Sequence, residues 1–315
     1  MRVLLITQGV SRLVEPLFES SHEVVGVIES MPRDYSISFS QPPLFRFFSL
    51  VYKFFTPAVV NLKAYCLARK TPYNYLCKGR DAEVARWVAD LSPDVIVVFS
   101  MSQLLKESLL SLPRLGVINM HPSYLPAYRG PNPAFWQYYD MELNPGVTVH
   151  YLDAGEDTGD IVAQRRVPIA LGEKSPAVLD TLIGKVGVPL MLDALNAIER
   201  GNATRTRQAV SPTPRARNLR TDEHGTIIDW ARWPIERVWH VLRGTELWLN
   251  AIAQPTGLYI GHRWCVEEFI KIEHLDKEGS LVRFQGRHCV AARGGYIFLS
   301  RKFSLKRLIV GILQR

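Results

Sequence analysis

The chain has 315 residues, a formal net charge of +8 and four cysteines. Hydrophobic residues make up 47% and charged residues 22%, which is typical of a globular protein with one large domain and a smaller one. The cysteines are scattered without a CxxC pair, which argues against a zinc cluster or a disulfide framework and favours the reducing cytoplasm. The sequence shows neither a signal-peptide pattern nor an apolar run of the roughly 20 residues that span a membrane. The positive charge fits an anionic partner, or serves solubility alone.

The chain begins with a strand–helix–strand pattern. Residues 2–7 form a short apolar run, and Leu13, Leu17 and Phe18 are then spaced for one face of a helix. Residues 23–28 read as a second strand. This order predicts a parallel sheet with a right-handed crossover.

Further elements extend the same pattern as far as residue 201. They are a helix capped by Asp81, strands at 95–99, 116–121 and 147–152, and a helix over 177–200 closed by Gly201. The unbroken apolar run at 95–99 is typical of a strand buried on both faces. We therefore predict an α/β fold with a Rossmann-like, mostly parallel sheet in the N-terminal domain.

The character of the chain changes after residue 202. Residues 203–220 have no apolar period and contain two prolines and several arginines, so we interpret them as a linker between a domain over 1–202 and one over 221–315. The C-terminal part has a helix from Ile235 and short strand-like runs, which predict a smaller, mainly β domain resembling a small barrel. The runs are 258–260, 264–272, 281–284, 288–292 and 296–299.

Residues 43–57 contain five phenylalanines and two cationic side chains within fifteen positions. A basic, aromatic, amphipathic helix of this kind can lie on a membrane surface. More often such a helix docks on its own domain or on a partner subunit, as in a homodimer, and amphipathicity by itself does not separate these cases.

Asn119 and His121 lie two residues apart at the end of a predicted strand, which stops at Pro122. The two-residue period of a strand places both side chains on one face and Met120 on the other. In open α/β sheets ligands bind at this end of the strands. The pair therefore marks a candidate site, with a structural role as the alternative.

The two loops that follow carry further polar groups. Residues 122–133 form a proline-rich loop in which Arg129 can either bind a phosphate or carboxylate or staple the loop itself. Residues 153–160 form a tight acidic loop without the ligand spacing of a calcium-binding EF-hand. One of its acids is a candidate partner for His121, and the others fit a solvated surface.

Two motifs resemble a known family. The first is Asn119-x-His121-Pro-Ser-x-Leu-Pro-x-x-Arg-Gly130, and the second is Asp157-Thr-Gly-Asp-Ile-Val-Ala-Gln164. In order and separation they are similar to motifs of the 10-formyltetrahydrofolate-dependent formyltransferases. The resemblance covers roughly residues 80–200 and is weaker over 1–30. Residues 221–230 also look like the start of the C-terminal domain in the tRNA and aminosugar branches of that family.

The resemblance implies a reaction and a set of roles. An amine attacks the formyl carbon of 10-formyltetrahydrofolate without a metal. Asn119 stabilises the developing oxyanion, and His121 either handles the proton of the amine or also stabilises the oxyanion. Asp157 holds and polarises His121 and helps to move the proton to the folate nitrogen. The expected binding residues for the folate are Phe99, Met101, Leu104, Asp153 and Gly155. Those for the acceptor are Ser123, Tyr124, Arg129 and Gly130.

The identity of the acceptor is less well determined by the sequence. After the second strand we find no basic, glycine-rich loop of the kind that branches acting on initiator tRNA carry. We therefore expect a small-molecule amine, a nucleotide-linked aminosugar, with methionyl-tRNA as the alternative. A formyltetrahydrofolate hydrolase and an inactive folate-binding module are the remaining hypotheses.

Overall fold

A computed structural model describes residues 1–32, 61–101, 103–174, 177–245, 250–259, 261–304 and 308. The phenylalanine-rich segment 43–57 lies outside the described residues, so its predicted helix and its membrane or partner contact stay hypotheses.

Seven strands form the larger sheet, in the order β3-β2-β1-β4-β5-β6-β7. They are β1 (Arg2–Thr7), β2 (Glu23–Ser30), β3 (Tyr73–Leu76), β4 (Val95–Phe99), β5 (Val117–His121), β6 (Gly146–Tyr151) and β7 (Ile161–Arg166). The pairs among β1 to β5 are parallel, and β6 runs antiparallel to β5. The predicted α/β, mostly parallel sheet is confirmed. Strands β3 and β7 were not predicted, because neither is a continuous apolar run.

Seven helices accompany the strands in the described residues. They are α1 (Val14–Phe18), α2 (Leu62–Ala68), α3 (Asp81–Leu91), α4 (Glu107–Leu110), α5 (Pro133–Tyr139), α6 (Ala177–Glu199) and α7 (Ile235–Thr245). Helix α3 buries Val84 and Val88 in the core beside β1 and β4. The prediction that Asp81 caps α3 is wrong, since Arg80 is the N-cap and Asp81 lies in the first turn, where its charge suits the helix dipole.

The long helix α6 ends near Gly201, whose φ of +70° fits the left-handed position that closes a helix. Within the described residues, its stretch Leu179–Glu199 has the length and composition of a membrane span. Gly187 of α6, however, lies so close to Met120 and Val147 of the sheet that a Cβ would collide with them. The helix therefore packs on the sheet as a core element.

A second, four-stranded antiparallel sheet is formed by the C-terminal part of the chain. It consists of β8 (His262–Lys271), β9 (Leu281–Phe284), β10 (Arg287–Ala292) and β11 (Gly295–Phe303), in the order β8-β11-β10-β9. Helix α7 packs on one face through Val238 and Val241. The predicted strand at 258–260 is wrong over its described residues 258–259, because Gly257–Tyr259 is a 3-10 helix. The described strands pair as an open sheet, so closure into a barrel stays a prediction.

The chain divides into two compact units that are not contiguous in sequence. Unit 1 comprises Met1–Arg129, Val147–Arg165 and Gly184–Pro212, and unit 2 comprises Gly130–Gly146, Arg166–Ile183 and Thr213–Arg315. Residues 203–212 of the predicted linker therefore belong to the compact unit that contains β1 and β5. The boundaries 1–202, 203–220 and 221–315 remain a prediction about the domains.

Candidate active site

The end of β5 and the facing residue of β6 form the centre of the site. Asn119 is in register with His150 on the antiparallel neighbour, and its Nδ2 lies 3.2 Å from Nε2 of that histidine. Met120 points the other way and is 2% exposed, against the helix α6. The strand period therefore places Asn119 and His121 on one face, as the sequence pattern predicts.

Asp157 follows β6 and reaches back to both histidines. Its Oδ2 lies 3.5 Å from Nδ1 of His121, and its Oδ1 lies 3.6 Å from Nε2 of His150. The side chain of Asp157 is 14% exposed, and its backbone has a φ of +54°. Asp is among the residues that tolerate this left-handed conformation, which turns its carboxylate toward the sheet edge.

The hydrogen bonds of His121 define which of its nitrogens can accept a proton. Nε2 lies 3.0 Å from the carbonyl oxygen of Tyr128, which only accepts, so Nε2 carries a hydrogen and donates. In the neutral ring Nδ1 then holds the lone pair, and this atom faces Asp157. A proton gained by His121 would therefore sit on Nδ1, beside a carboxylate that stabilises the resulting cation.

His150 has the opposite assignment and was not predicted as a site residue. Its Nδ1 donates to the carbonyl oxygen of Tyr151 at 2.8 Å, so Nε2 is the acceptor for the Asn119 amide. The pKa of His150 is lowered to about 4, chiefly by burial and then by the charge of His121, against the raising effect of Asp157. His150 is therefore neutral at pH 7 and orients Asn119. No sequence signal marks this role, because His150 lies within a strand and outside both motifs.

The four residues together supply a donor and a proton acceptor on one side of the sheet edge. One N–H of Asn119 is directed to His150, and its amide has a second N–H on a partly exposed side chain. This second N–H can serve an oxygen on which negative charge develops. His121 and Asp157 can accept and hold one proton next to it.

Asp153, by contrast, stabilises the loop that carries Asp157. Its Oδ1 accepts from the backbone N–H of Gly155 (2.9 Å) and from Oγ1 of Thr158 (2.6 Å). A Cβ on Gly155 would collide with Oγ1 of Thr158, so a larger residue there would displace the Thr158 hydroxyl from Asp153. Asp153 and Gly155 therefore have a structural role in the loop. Contact of either residue with a folate stays a prediction.

The predicted folate residues of the segment after β4 lie at the C-terminal end of that strand. Phe99 is its last residue, Met101 packs at the edge of the core, and Leu104 is 63% exposed. The segment thus presents apolar surface at the sheet edge where the parallel strands end, which suits a flat heterocycle. Binding of a folate by these residues stays a prediction.

The predicted acceptor residues have identifiable partners within the protein. Ser123 is buried and its Oγ donates to the Ala127 carbonyl at 2.7 Å. Arg129 donates to Oε1 of Gln208, at 3.1 Å from Nε and 2.7 Å from Nη2. Gly130 has a φ of +122°. Tyr124 is partly exposed, and acceptor binding by all four residues stays a prediction.

No cluster of three or more His, Cys, Asp or Glu side chains suited to a metal ion occurs in the described part of the chain.

Gln208 is the second residue of the site region, after His150, that was not predicted. It lies in a segment with no apolar period and reaches the site only through tertiary contacts.

Comparison with known proteins agrees with this arrangement. Residues 65–195 match the family model described as "Formyl transferase". The methionyl-tRNA formyltransferase of Geobacter metallireducens is 35% identical over 180 residues, which are 57% of this chain and 57% of the relative. That of Alkaliphilus oremlandii is 33% identical over 240 residues, which are 76% of this chain and 70% of the relative. The match to the first of these relatives thus spans little more than half of its length.

Solved structures with the same fold cover nearly the whole chain. WlaRD, a sugar 3N-formyl transferase determined in the presence of dTDP and 5-N-formyl-THF, has a TM-score of 0.62 and 16% identity, over 96% of this chain and 97% of that one. HypX from Aquifex aeolicus in complex with tetrahydrofolic acid has a TM-score of 0.59 and 15% identity, over 100% of this chain and 48% of that one. With the family model, the sequence relatives and this fold in agreement, the chain belongs to the formyltransferase family.

Proposed function

We propose that the protein transfers a formyl group from 10-formyltetrahydrofolate to a primary amine. The observation that carries the proposal is the convergence of Asn119, His121 and Asp157 at one edge of the sheet. Asp157 lies 3.5 Å from His121 and 3.6 Å from His150, and His150 in turn lies 3.2 Å from Asn119. This arrangement supplies the two services that acyl transfer to an amine requires, a donor for the developing oxyanion and an acceptor for the amine proton.

Asn119 acts as the oxyanion donor. His150 takes one of its N–H groups at 3.2 Å and so holds the amide plane, which leaves the second N–H for the formyl oxygen. A donor held in place before the reaction needs no reorganisation when the charge develops. In other acyl transfer sites, loss of one such donor costs about 10² to 10³ in rate.

His121 accepts the amine proton at Nδ1, since the Tyr128 carbonyl already occupies the hydrogen on Nε2. Asp157 then pairs with the cationic ring from 3.5 Å. The proton can pass on to the leaving tetrahydrofolate nitrogen from this His–Asp pair, so the pair acts first as base and then as acid.

The co-substrate is inferred from the family membership and from the site. Other members of the fold were solved with tetrahydrofolic acid or with 5-N-formyl-THF. In this chain the apolar surface around Phe99, Met101 and Leu104 lies at the C-terminal edge of the parallel strands, as does Asn119. The loop Asp153–Asp157 adds backbone hydrogen-bonding groups on the other side of β5.

The test of the chemistry is release of tetrahydrofolate from 10-formyltetrahydrofolate in the presence of candidate amines. We expect Asn119→Ala, His121→Ala and Asp157→Ala each to lower turnover at least about tenfold in a folded protein, as transition-state groups do. Release that is independent of an amine would identify a hydrolase. Folate binding without release would identify a binding module.

We infer that the acceptor is a nucleotide-linked aminosugar. Two observations support this choice. The fold of the sugar 3N-formyl transferase WlaRD matches over 97% of its length, while the sequence matches to the Geobacter metallireducens and Alkaliphilus oremlandii methionyl-tRNA formyltransferases cover 57% and 70% of those proteins. The segment after β2 also lacks a basic, glycine-rich loop in its sequence. The prediction is transfer to dTDP-linked amino sugars and none to charged initiator tRNA.

Methionyl-tRNA is the second candidate, because the sequence relatives at 33–35% identity are methionyl-tRNA formyltransferases. Transfer to charged initiator tRNA that falls steeply with added salt would support it, since a tRNA binder neutralises many phosphates. Side-by-side assays of the two acceptor classes with one enzyme preparation distinguish the candidates. A cytoplasmic location and a homodimer remain predictions.

A further inference from the structure

Gln208 connects two loops of the candidate site. Its Nε2 donates to the backbone carbonyl oxygens of Asp157 (2.9 Å) and Gly159 (2.7 Å). Its Oε1 accepts from Nε and Nη2 of Arg129, at 3.1 and 2.7 Å. One amide therefore joins the loop after β5 to the loop that carries Asp157.

The partners determine which end of the amide faces which loop. A guanidinium has only donors and a backbone carbonyl has only acceptors. The reverse orientation of Gln208 would set donors against donors and acceptors against acceptors, so the hydrogen-bond partners assign it. In the orientation described, both N–H groups and the oxygen of the amide are used.

The backbone on both sides of Gln208 is held in place. Thr206 exchanges two backbone hydrogen bonds with Ile161, the first residue of β7, at 2.8 and 2.9 Å. Thr204 Oγ1 donates to the Val162 carbonyl at 2.8 Å, and Arg129 Nη2 donates to the Ala209 carbonyl at 2.9 Å. The segment 204–209 is thus a fixed support along β7.

Asp157 needs such a support because its φ is +54°. A non-glycine residue in this region is strained and persists where its surroundings hold it. Gln208 bonds to the carbonyl of Asp157 itself, and so to the peptide plane next to the Cα from which the carboxylate reaches His121 and His150.

We propose that Gln208 is a positioning residue for Asp157, and that Arg129 holds Gln208 in its orientation. The proposal rests on the proposed formyl transfer. Arg129 then supports the catalytic residues through Gln208, whereas its position in the motif implies a contact with the acceptor. Gln208 acts through the Asp157 loop, so its removal should lower turnover and leave the affinity for the amine unchanged.

The decisive variant is Gln208→Glu, which keeps the size of the side chain and an acceptor for Arg129. It replaces the two donated hydrogens by an oxygen that faces two carbonyl oxygens. We expect kcat to fall at least about tenfold at unchanged KM for the amine. The matched control is Thr204→Val, which removes a hydrogen bond of the same segment and leaves the Asp157 loop intact, with kcat near wild type.

A double variant separates positioning from general support of the fold. If Gln208 works through Asp157, then Asp157→Asn combined with Gln208→Glu is about as slow as Asp157→Asn alone, because the second change has nothing left to position. Losses that multiply would overturn the proposal, and so would wild-type kcat in Gln208→Glu. Should Gln208→Glu not fold, Arg129→Lys takes its place in the double variant with Asp157→Asn. It replaces the two guanidinium donors to the Gln208 oxygen by a single ammonium group.

Hydrogen exchange supplies a measurement that does not depend on turnover. We expect the peptide covering residues 153–160 to exchange faster in Gln208→Glu than in wild type or Thr204→Val, because local opening of the loop becomes easier. Equal exchange in all three would overturn the proposal. A wild-type protein that transfers formyl to none of the amines overturns the proposed function instead, and the exchange result then decides the loop contact on its own.

Discussion

At the scale of single residues, the site contains two histidines with opposite hydrogen-bond assignments. The Tyr128 carbonyl holds a hydrogen on Nε2 of His121, which leaves Nδ1 for proton transfer. The Tyr151 carbonyl holds a hydrogen on Nδ1 of His150, which leaves Nε2 as the acceptor for Asn119. In the proposed mechanism, His121 changes its protonation, and His150 stays neutral and orients the Asn119 amide.

Replacement of His150 tests this division of roles. His150→Phe keeps an aromatic ring in the buried position and removes the acceptor for the Asn119 amide. We expect kcat to fall at least about tenfold, because the oxyanion donor is no longer oriented. Steady-state kinetics with 10-formyltetrahydrofolate and the accepted amine measure the change.

His150→Gln is the matched comparison, since its side-chain oxygen can accept from the Asn119 amide. It should retain more activity than His150→Phe at similar thermal stability. Equal activity of the two variants would contradict an orienting role for the ring nitrogen.

At the scale of elements, the connection between β6 and β7 determines where Asp157 lies. The backbone turns so tightly at Gly159 that a Cβ there would collide with the Tyr151 carbonyl. The Asp160 carbonyl also accepts from the Tyr151 N–H at 2.8 Å, which closes the loop at its base. The loop has one compact shape that a larger residue at position 159 would not permit.

Gly159→Ala should therefore displace the loop and its carboxylate together. We expect a lower melting temperature and at least about tenfold lower turnover, because a backbone collision cannot be relieved by a side-chain rotation. Thermal unfolding and turnover measured on one preparation test both effects.

Gly225→Ala is the control for that substitution. Within the described part of the chain, a Cβ at Gly225 meets no atom within 4 Å, so this variant should match wild type in both measurements. Wild-type turnover in Gly159→Ala would contradict the dependence of Asp157 on the loop shape.

At the scale of the whole molecule, buried neutral histidines link stability to pH. Burial lowers the pKa of His150 and of His240 to about 4 in each case. In the unfolded chain both rings take up a proton near a pH of about 6.5. Between these values the unfolded state binds more protons than the folded state, so acid favours unfolding.

We therefore predict that the free energy of unfolding decreases as the pH falls from about 6.5 to about 4. His150 and His240 each contribute a slope of up to about 1.4 kcal/mol per pH unit in this interval. Urea unfolding at several pH values measures the slope.

His240→Asn serves as the comparison for the pH dependence. In the wild type, Nδ1 of His240 accepts a hydrogen bond from the Gly172 N–H at 2.8 Å. The side-chain oxygen of asparagine can accept the same hydrogen bond, and asparagine does not titrate. The slope of stability against pH should be shallower in this variant than in wild type, whatever its stability at neutral pH. An unchanged slope would contradict the assignment of His240.

Much of the architecture could be predicted from local pattern. The apolar runs at 95–99 and 147–152 match β4 and β6 to within one residue, and the helix ending at Gly201 was predicted to within one residue at its C-terminus. The strands β3 and β7 could not be predicted, since their burial is partial and an apolar period is weak there. Asp81 resembles a helix cap by residue type, yet the first turn of α3 places it one position later.

By itself, the sequence determined the mostly parallel α/β sheet, the formyltransferase resemblance and the candidates Asn119, His121 and Asp157. Motifs and strand period are local properties of the sequence, and they identify Asn119, His121 and Asp157. Only the tertiary structure revealed His150 and Gln208, because each reaches the site through a partner distant in sequence. Strand register brings His150 opposite Asn119, and the segment beside β7 brings Gln208 to the carbonyl of Asp157. Neither pairing has a sequence pattern, since it depends on how the strands and the segment pack.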